Sequence, residues 1–236
     1  MKTYKIANLN VAMNIYYDKL GKQALKYLTN DVDKPDIVID NPKESYQIIH
    51  DKMYPYLSVE DIEYMQIGRQ FYERVIDFDG YMMHSSAIDY EGNAYMFSAP
   101  SGTGKSTQTS NWVNYFGKDK IVYINDDKPL VRYIDNSFYC CGTPFSGKND
   151  LSSNRMVKIK GIIFIKRGEI NSCRKIDNKE AIKNIFNNSI QPINKDKMEK
   201  YLWLLDLFIK TVDAYELTCN MDPVSAKICY DFINKR

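Results

Sequence analysis

The sequence predicts an α/β fold with a mixed, largely antiparallel sheet and a small N-terminal α+β region. Between residues 94 and 125 a strand, a glycine-rich loop, a helix and a second strand follow one another. Further strand-like runs come in close succession up to residue 166, which favours a mixed sheet over a doubly wound one. Residues 1–75 instead mix short strand-like and helix-like runs. We therefore expect a small region at 1–75 and a main domain at 76–236.

The N-terminal region is predicted to contain two strands and two helices, at residues 2–6, 36–39, 15–27 and 59–74. Ser58 is a suitable N-cap for the last of these helices, and Glu60 and Asp61 suit the positive end of its dipole. His50 has no partner at metal-ligand or triad spacing, which favours a structural role. No catalytic constellation is evident in this region.

The overall charge gives no reason to expect a nucleic-acid or membrane partner. The 32 Lys and Arg residues nearly balance the 30 Asp and Glu residues, and the net charge is +2. The five cysteines form no CxxC pair, which is typical of free thiols in a reducing compartment. No segment reaches the roughly 18 apolar residues that a membrane span needs. We expect a soluble, cytoplasmic protein, and the sequence leaves homo-oligomer formation open.

The main domain is predicted to begin with a hairpin that leads into the glycine-rich loop. Strands at 82–90 and 94–98 flank the turn Glu91-Gly92-Asn93. A helix at 106–115 and a short buried strand at 120–125 follow the loop. The remaining predicted strands lie at 130–134, 137–141, 157–166 and 215–218, and the remaining helices at 179–186, 195–211 and 223–234.

The loop carries the pattern GxxxxGK[ST], except that Ala99 replaces its first glycine. In such a loop small residues let backbone N–H groups face phosphates, the lysine neutralises their charge and the last hydroxyl binds Mg²⁺. The pattern therefore predicts a site for a nucleoside triphosphate and Mg²⁺, with Lys105 as the cation and Ser106 as a metal ligand. The predicted nucleotide-binding residues are Ser101, Gly102, Thr103, Gly104, Lys105, Ser106 and Thr107.

Asp126 and Asp127 directly follow the strand after the loop helix. This is the edge at which α/β sheets place ligands, so one carboxylate is expected near Mg²⁺ and the other near an attacking hydroxyl. Neighbouring strand residues point to opposite faces, which predicts different roles for the two. We predict Ser106 and Asp127 as metal ligands and leave the choice of base between Asp126 and Asp127 open. The alternative is a turn before Lys128-Pro129.

Three elements together resemble the HPr kinase/phosphorylase family and, more distantly, the phosphoenolpyruvate carboxykinases. They are the segment Met83-His84-Ser85-Ser86, the loop at 101–107 and the Asp126-Asp127 pair. The resemblance, which covers about residues 80–220, implies a P-loop nucleotide-binding, kinase-like domain of that type. It also implies ATP-dependent phosphorylation of a serine-like hydroxyl, with one aspartate as base and His84 near either the γ-phosphate or that base. A core role for His84 is the alternative.

Two classes of function remain after this comparison. The first is a kinase whose acceptor is a peptide, a protein or a small molecule, and the second is a nucleotide-binding scaffold or sensor without fast turnover. Carboxykinase chemistry is a weaker third, because the chain is short for a second substrate-binding lobe. In the segment 142–148 and just after it, Lys148 and Arg155 are candidates to reach a phosphate or substrate, and a structural turn is the alternative.

Overall fold

A computed structural model describes residues 1–30 and 34–235 of the chain. The described strands are β1 (Lys2–Ile6), β2 (Leu9–Met13), β3 (Ile37–Ile39), β4 (Gly80–Met82), β5 (Ser86–Tyr90), β6 (Asn93–Ser98), β7 (Ile121–Asn125), β8 (Leu130–Ile134), β9 (Ser137–Cys141), β10 (Met156–Arg167), β11 (Ser172–Lys175) and β12 (Ala214–Cys219). The described helices are α1 (Asp18–Ala24), α2 (Lys43–Met53), α3 (Val59–Arg74), α4 (Lys105–Phe116), α5 (Asn178–Asn187), α6 (Lys195–Thr211) and α7 (Val224–Asn234). None of these helices is long and apolar enough to cross a membrane.

The N-terminal part contains a three-stranded sheet in the order β1-β2-β3, on which α1 and α3 pack. Ala7 and Asn8 form the turn of the β1–β2 hairpin, both with positive φ. The Ser58 side chain accepts a hydrogen bond from the Asp61 backbone N–H, so the predicted cap of α3 is confirmed. Buried side chains on both sides of residue 75, Phe71 and Phe145 among them, share one core cluster. The boundary at residue 75 stays a prediction.

The larger sheet has nine strands, with β4-β8-β9-β10-β6-β5-β7 in order and β12 and β11 branching from β10. Strand β10 is parallel to β6 and β12, and the other pairs in this sheet are antiparallel. The mixed, largely antiparallel sheet is therefore as predicted. Two further apolar clusters cover the sheet, one with Trp112 of α4 and Cys229 of α7, the other with Tyr201 and Phe208 of α6.

Strand β5 determines which chain segments meet at one edge of this sheet. It lies between β6 and β7 and is antiparallel to both, so β6 and β7 run in the same direction. The ends of β6 and β7 and the start of β5 therefore share an edge, which we call the site edge. Because β10 is parallel to β6, and β12 is parallel to β10, the ends of both strands also lie there.

Most of the predicted elements are present, with five differences. The predicted strand at 82–90 is interrupted, because Met83 pairs with Ser189 and the His84 N–H donates to the Asn188 carbonyl at 2.6 Å. The helix predicted at 15–27 is shorter, since α1 ends at Ala24 and a 3₁₀ turn follows. The other three differences are strands β2 and β11 and helix α2, none of which was predicted.

Gly142, which follows β9, is required by a close backbone approach. A Cβ atom at this position would lie 1.8 Å from the Ser153 carbonyl oxygen and 2.8 Å from that of Ile124. We expect Gly142→Ala to lower the free energy of unfolding by about 3 kcal/mol, because the backbone must move to accept the methyl group. Urea unfolding followed by circular dichroism measures this loss.

Gly21→Ala is the matched control, since Gly21 lies in α1 and its added Cβ would meet only Ile15, at 3.8 Å. Replacing a helical glycine by alanine is expected to stabilise the protein by up to about 1 kcal/mol. A loss at Gly21 as large as that at Gly142 would contradict the steric explanation.

Candidate functional site

The glycine-rich loop connects the end of β6 to the start of α4 at the site edge. Gly102 and Gly104 have φ angles of 74° and 126°, which side chains rarely allow. Ala99 has a negative φ and is buried, so the first position of the loop has no need of glycine here. Ala99 thus departs from the loop pattern only at a position that does not need glycine. The two positions with positive φ, Gly102 and Gly104, are both glycine.

Helix α4 begins at Lys105, directly after the loop. Its N-cap, Gly104, provides no side-chain hydrogen bond to the free N–H groups of the first turn. The Lys105 ammonium group donates to the Ala99 carbonyl at 2.9 Å. Burial lowers the pKa of Lys105, and the charges of Asp127 and Asp126 oppose that shift. The loop thus presents free N–H groups and a partly buried cation, a combination suited to an anion.

Asp126 faces the start of α4. Its Oδ2 atom accepts from the Ser106 hydroxyl at 3.1 Å, and its Oδ1 atom accepts from the Ser86 hydroxyl. Burial raises the pKa of the Asp126 carboxyl, and the hydrogen bonds from Ser86 and Ser106 reduce that shift. The structure therefore pairs Ser106 with Asp126 rather than with Asp127, the residue that the sequence paired with it.

Asp127 faces two cationic or proton-bearing side chains. His84 Nε2 lies 3.3 Å from Asp127 Oδ1, and Lys128 Nζ lies 2.7 Å from Asp127 Oδ2. Burial alone would raise the pKa of Asp127, but the hydrogen bond from His84 and the charge of Lys128 together lower it below its usual value. The two neighbouring carboxyls thus have pKa shifts of opposite sign.

Asn125, the last residue of β7, holds the backbone of this turn. Its Oδ1 atom accepts from the backbone N–H groups of Asp127 at 2.9 Å and Lys128 at 2.7 Å. Its Nδ2 group donates to the carbonyl and hydroxyl oxygens of Thr143, at 3.0 and 3.1 Å. Because the Asn125 side chain is buried and every polar atom of it is bonded, the turn has one well-defined shape.

The site edge brings most of the predicted residues together. Lys105, Ser106 and Asp126 lie on one side of the cluster, and His84 and Asp127 on the other. Lys148 follows Gly147, whose added Cβ would lie 3.1 Å from the Asp127 Cβ atom. Two further residues of the loop, Ser101 and Thr107, are exposed.

Arg155 does not belong to this cluster. Its guanidinium group pairs with Asp89 at 2.8 Å, near the hairpin turn at the opposite end of β5. The suggestion that Arg155 reaches a phosphate or substrate at the site is therefore not supported by its position, whereas Lys148 stays a candidate.

Several residues of the site were not singled out from the sequence. Asn125 and Lys128 flank the aspartate pair in the sequence, and this adjacency is the signal that could have indicated them as site residues. Thr143 and Arg167 reach the site only through the fold, and no local pattern indicates them. Arg167 donates to the Thr103 carbonyl at 3.2 Å and to that of Gly102, and so holds the outer side of the loop.

A cavity of about 550 Å³ opens beside the loop at the same edge. Its walls come from the loop, from the first turn of α4, and from the residues that end or follow β10 and β12. They include Thr103, Thr107, Arg167, Asn220 and Met221. The volume lies in the range of sites that bind small molecules.

No protein-family model matches the chain, and no curated protein matches it. Among solved structures, the Hpr(Ser) kinase/phosphatase from Coxiella burnetii matches with 10% sequence identity over 62% of this chain and 90% of that chain. The TM-score of this match is 0.34. Similarity at that level supports no conclusion about fold family or activity, so the resemblance to the HPr kinase/phosphorylase family stays a hypothesis.

Asp126→Asn and Asp127→Asn are expected to change the stability at pH 7 in opposite directions. The raised pKa of Asp126 means that folding disfavours its ionised form, so a neutral amide there increases the free energy of unfolding. The lowered pKa of Asp127 means that folding favours its ionised form, so an amide there decreases the free energy of unfolding. Urea unfolding at pH 7 measures both changes.

The two effects also have defined pH windows. The contribution of Asp127 is present above its unfolded-state pKa of about 3.9 and is lost as the pH falls through its lower folded-state value. The gain from Asp126→Asn disappears below about pH 4, where the carboxyl is protonated in both states. If both variants lost the same amount of unfolding free energy at pH 7, the environments described for the two carboxyls would be contradicted.

Proposed function

We propose that this chain is a kinase that binds ATP and Mg²⁺ at the glycine-rich loop and transfers the γ-phosphoryl group to a serine-like hydroxyl. The acceptor is a peptide, a protein or a small molecule. The observation that carries the proposal is the meeting, at one sheet edge, of the Lys105 and Ser106 side chains, Asp126 and the His84–Asp127 pair. In this proposal residues 76–236 form the P-loop nucleotide-binding domain, of the HPr kinase and phosphoenolpyruvate carboxykinase type.

The loop would bind the triphosphate through its backbone. Gly102 and Gly104 permit the turn that exposes N–H groups, and the first turn of α4 adds its own free N–H groups. Lys105 exchanges the Ala99 carbonyl for phosphate oxygens, because an anion is a stronger partner for an ammonium group than a neutral carbonyl. The adjoining cavity would take the nucleoside, with Arg167 at its wall.

Ser106 and Asp126 would hold Mg²⁺, which revises the predicted pairing of Ser106 with Asp127. Both side chains provide hard oxygen donors, and the Ser106 hydroxyl oxygen already lies 3.1 Å from Asp126 Oδ2. Within residues 1–30 and 34–235 no cluster of three or more His, Cys, Asp or Glu side chains is suited to a metal. Mg²⁺ commonly uses one or two protein carboxylates and completes its shell with phosphates and water. When bound, it neutralises charge on the phosphates.

Asp127 would accept the proton of the acceptor hydroxyl. The acceptor oxygen forms a bond to the γ-phosphorus, the bond from that phosphorus to the β–γ bridging oxygen breaks, and ADP leaves with the electron pair. The lowered pKa keeps Asp127 ionised at neutral pH, and His84 fixes the orientation of its carboxylate. A weak base is sufficient, because phosphoryl transfer depends mainly on positioning and charge stabilisation.

Substitutions at Lys105 and Asp127 are expected to separate binding from turnover. Lys105→Ala should weaken ATP binding by about 10- to 100-fold, because it removes a charged hydrogen-bond donor. Asp127→Asn should keep most of the binding and lower phosphoryl transfer by about 100-fold or more. Equilibrium dialysis with labelled ATP measures binding. Transfer from γ-labelled ATP to protein, peptide or metabolite pools measures turnover.

Lys118→Ala is the control, since Lys118 is an exposed lysine just beyond α4. This substitution should change neither the affinity for ATP nor the rate of phosphoryl transfer. Normal turnover in Asp127→Asn would exclude Asp127 as the base. ATP binding without transfer to any acceptor would favour a nucleotide-binding scaffold or sensor.

A further inference from the structure

A largely apolar pocket of about 280 Å³ lies between α3 and the turn that carries Asp127 and Lys128. Its walls are mostly aromatic rings and aliphatic surface. The residues that matter here are Tyr64, Gly68, Arg69, Tyr72, Lys128 and Phe145. The residues that line this pocket include none from the glycine-rich loop or from the walls of the large cavity beside it. A nucleotide bound at the loop would therefore leave this pocket free.

The walls of this pocket are rigid. The Phe145 ring is fully buried and packs against Tyr64 and Tyr72, with centroids 5.5 and 5.4 Å away. Gly68 allows that ring to approach α3 closely, because an added Cβ would lie 3.1 Å from it. The Tyr64 hydroxyl accepts from the Gly147 N–H at 3.2 Å, and the Tyr72 hydroxyl donates to the Lys128 carbonyl. The pocket is therefore formed before any ligand binds.

Lys128 connects the pocket to the proposed base. Its ammonium group lies 2.7 Å from Asp127 Oδ2 and 5.4 Å from the centroid of the Tyr64 ring. The same side chain lines the pocket. A group in the pocket is thus one side chain away from the carboxylate that would receive the acceptor's proton.

The pocket continues into a second one of about 130 Å³ along α3. The two share Arg69, Tyr72 and Ile190, and the second extends to Ile193, which is 85% exposed. We call the two pockets together the α3 groove. A groove that leads away from a reaction centre past exposed apolar side chains suits an extended ligand better than a compact metabolite.

The charges of the groove favour an anionic group on that ligand. Arg69 is exposed and has no hydrogen bond or ion pair with the residues that the structure describes. Lys128, the other cation of the first pocket, is already paired with Asp127. The first pocket has no acidic residue in its wall, and the second adds only Glu73. Arg69 is therefore the cation available to a ligand carboxylate.

Building on the proposed function, we infer that the α3 groove binds the acceptor as a peptide segment. An apolar side chain next to the phosphorylated serine fills the first pocket, and a carboxylate of the same segment pairs with Arg69. The N-terminal region thereby selects the acceptor, while the main domain binds the nucleotide.

A positional-scanning library of serine peptides tests this inference, with the full-length protein and γ-labelled ATP. The wild type should prefer an apolar residue beside the serine and Asp or Glu at one further position. Arg69→Glu should reduce the acidic preference at that position by about tenfold and favour Lys or Arg there. Arg69→Gln should lose the acidic preference without reversing it. Lys52→Glu makes the same charge change on α2, outside the groove, and should keep the wild-type pattern.

The outcomes separate this inference from the proposed function. Peptide phosphorylation with a preference that Arg69→Glu leaves unchanged overturns the assignment of the groove and keeps the kinase. Binding of ATP without phosphorylation of any library peptide overturns the peptide acceptor and keeps the nucleotide site. Absence of ATP binding overturns both.

Discussion

The position of β5 between β6 and β7 is the constraint on which the rest of the site depends. Because β5 is antiparallel to both neighbours, the glycine-rich loop after β6, the aspartates after β7 and His84 before β5 must share one edge. Hydrogen bonds between strands thus bring together side chains that are distant in sequence. The buried Asn125–Thr143 contact then fixes the turn in which the two carboxylates receive different partners.

Opposite pKa shifts in neighbouring carboxyls give the site two distinct oxygen donors. Asp126 lies among hydroxyl groups next to the start of α4, and Asp127 lies between a histidine and a lysine. The N-terminal part contacts the second environment directly, because Tyr64 and Tyr72 of α3 bond to the backbone of Gly147 and Lys128. A ligand bound on α3 would therefore act on the surroundings of Asp127.

Local sequence signals predicted much of the fold and part of the site. The loop, its helix and the aspartate pair follow from residue types at fixed spacing, and Ser58 marked the start of α3 correctly. Helix α2 was missed because it is polar, with Tyr46 as its buried residue. Strand β11 was missed because it is short and mostly exposed. The pairing of Ser106 with Asp126, and the role of Thr143, depend on contacts across the sheet that no local pattern encodes.

Calorimetric titration of the folded wild-type protein tests the central claim most directly, by comparing Mg-ATP with ATP in the presence of a chelator. The account predicts saturable heat from one site with Mg-ATP and weaker binding when the metal is removed, since Ser106 and Asp126 then have no cation to share with the phosphates. Absence of saturable heat with Mg-ATP would contradict the assignment of the glycine-rich loop as a nucleotide site.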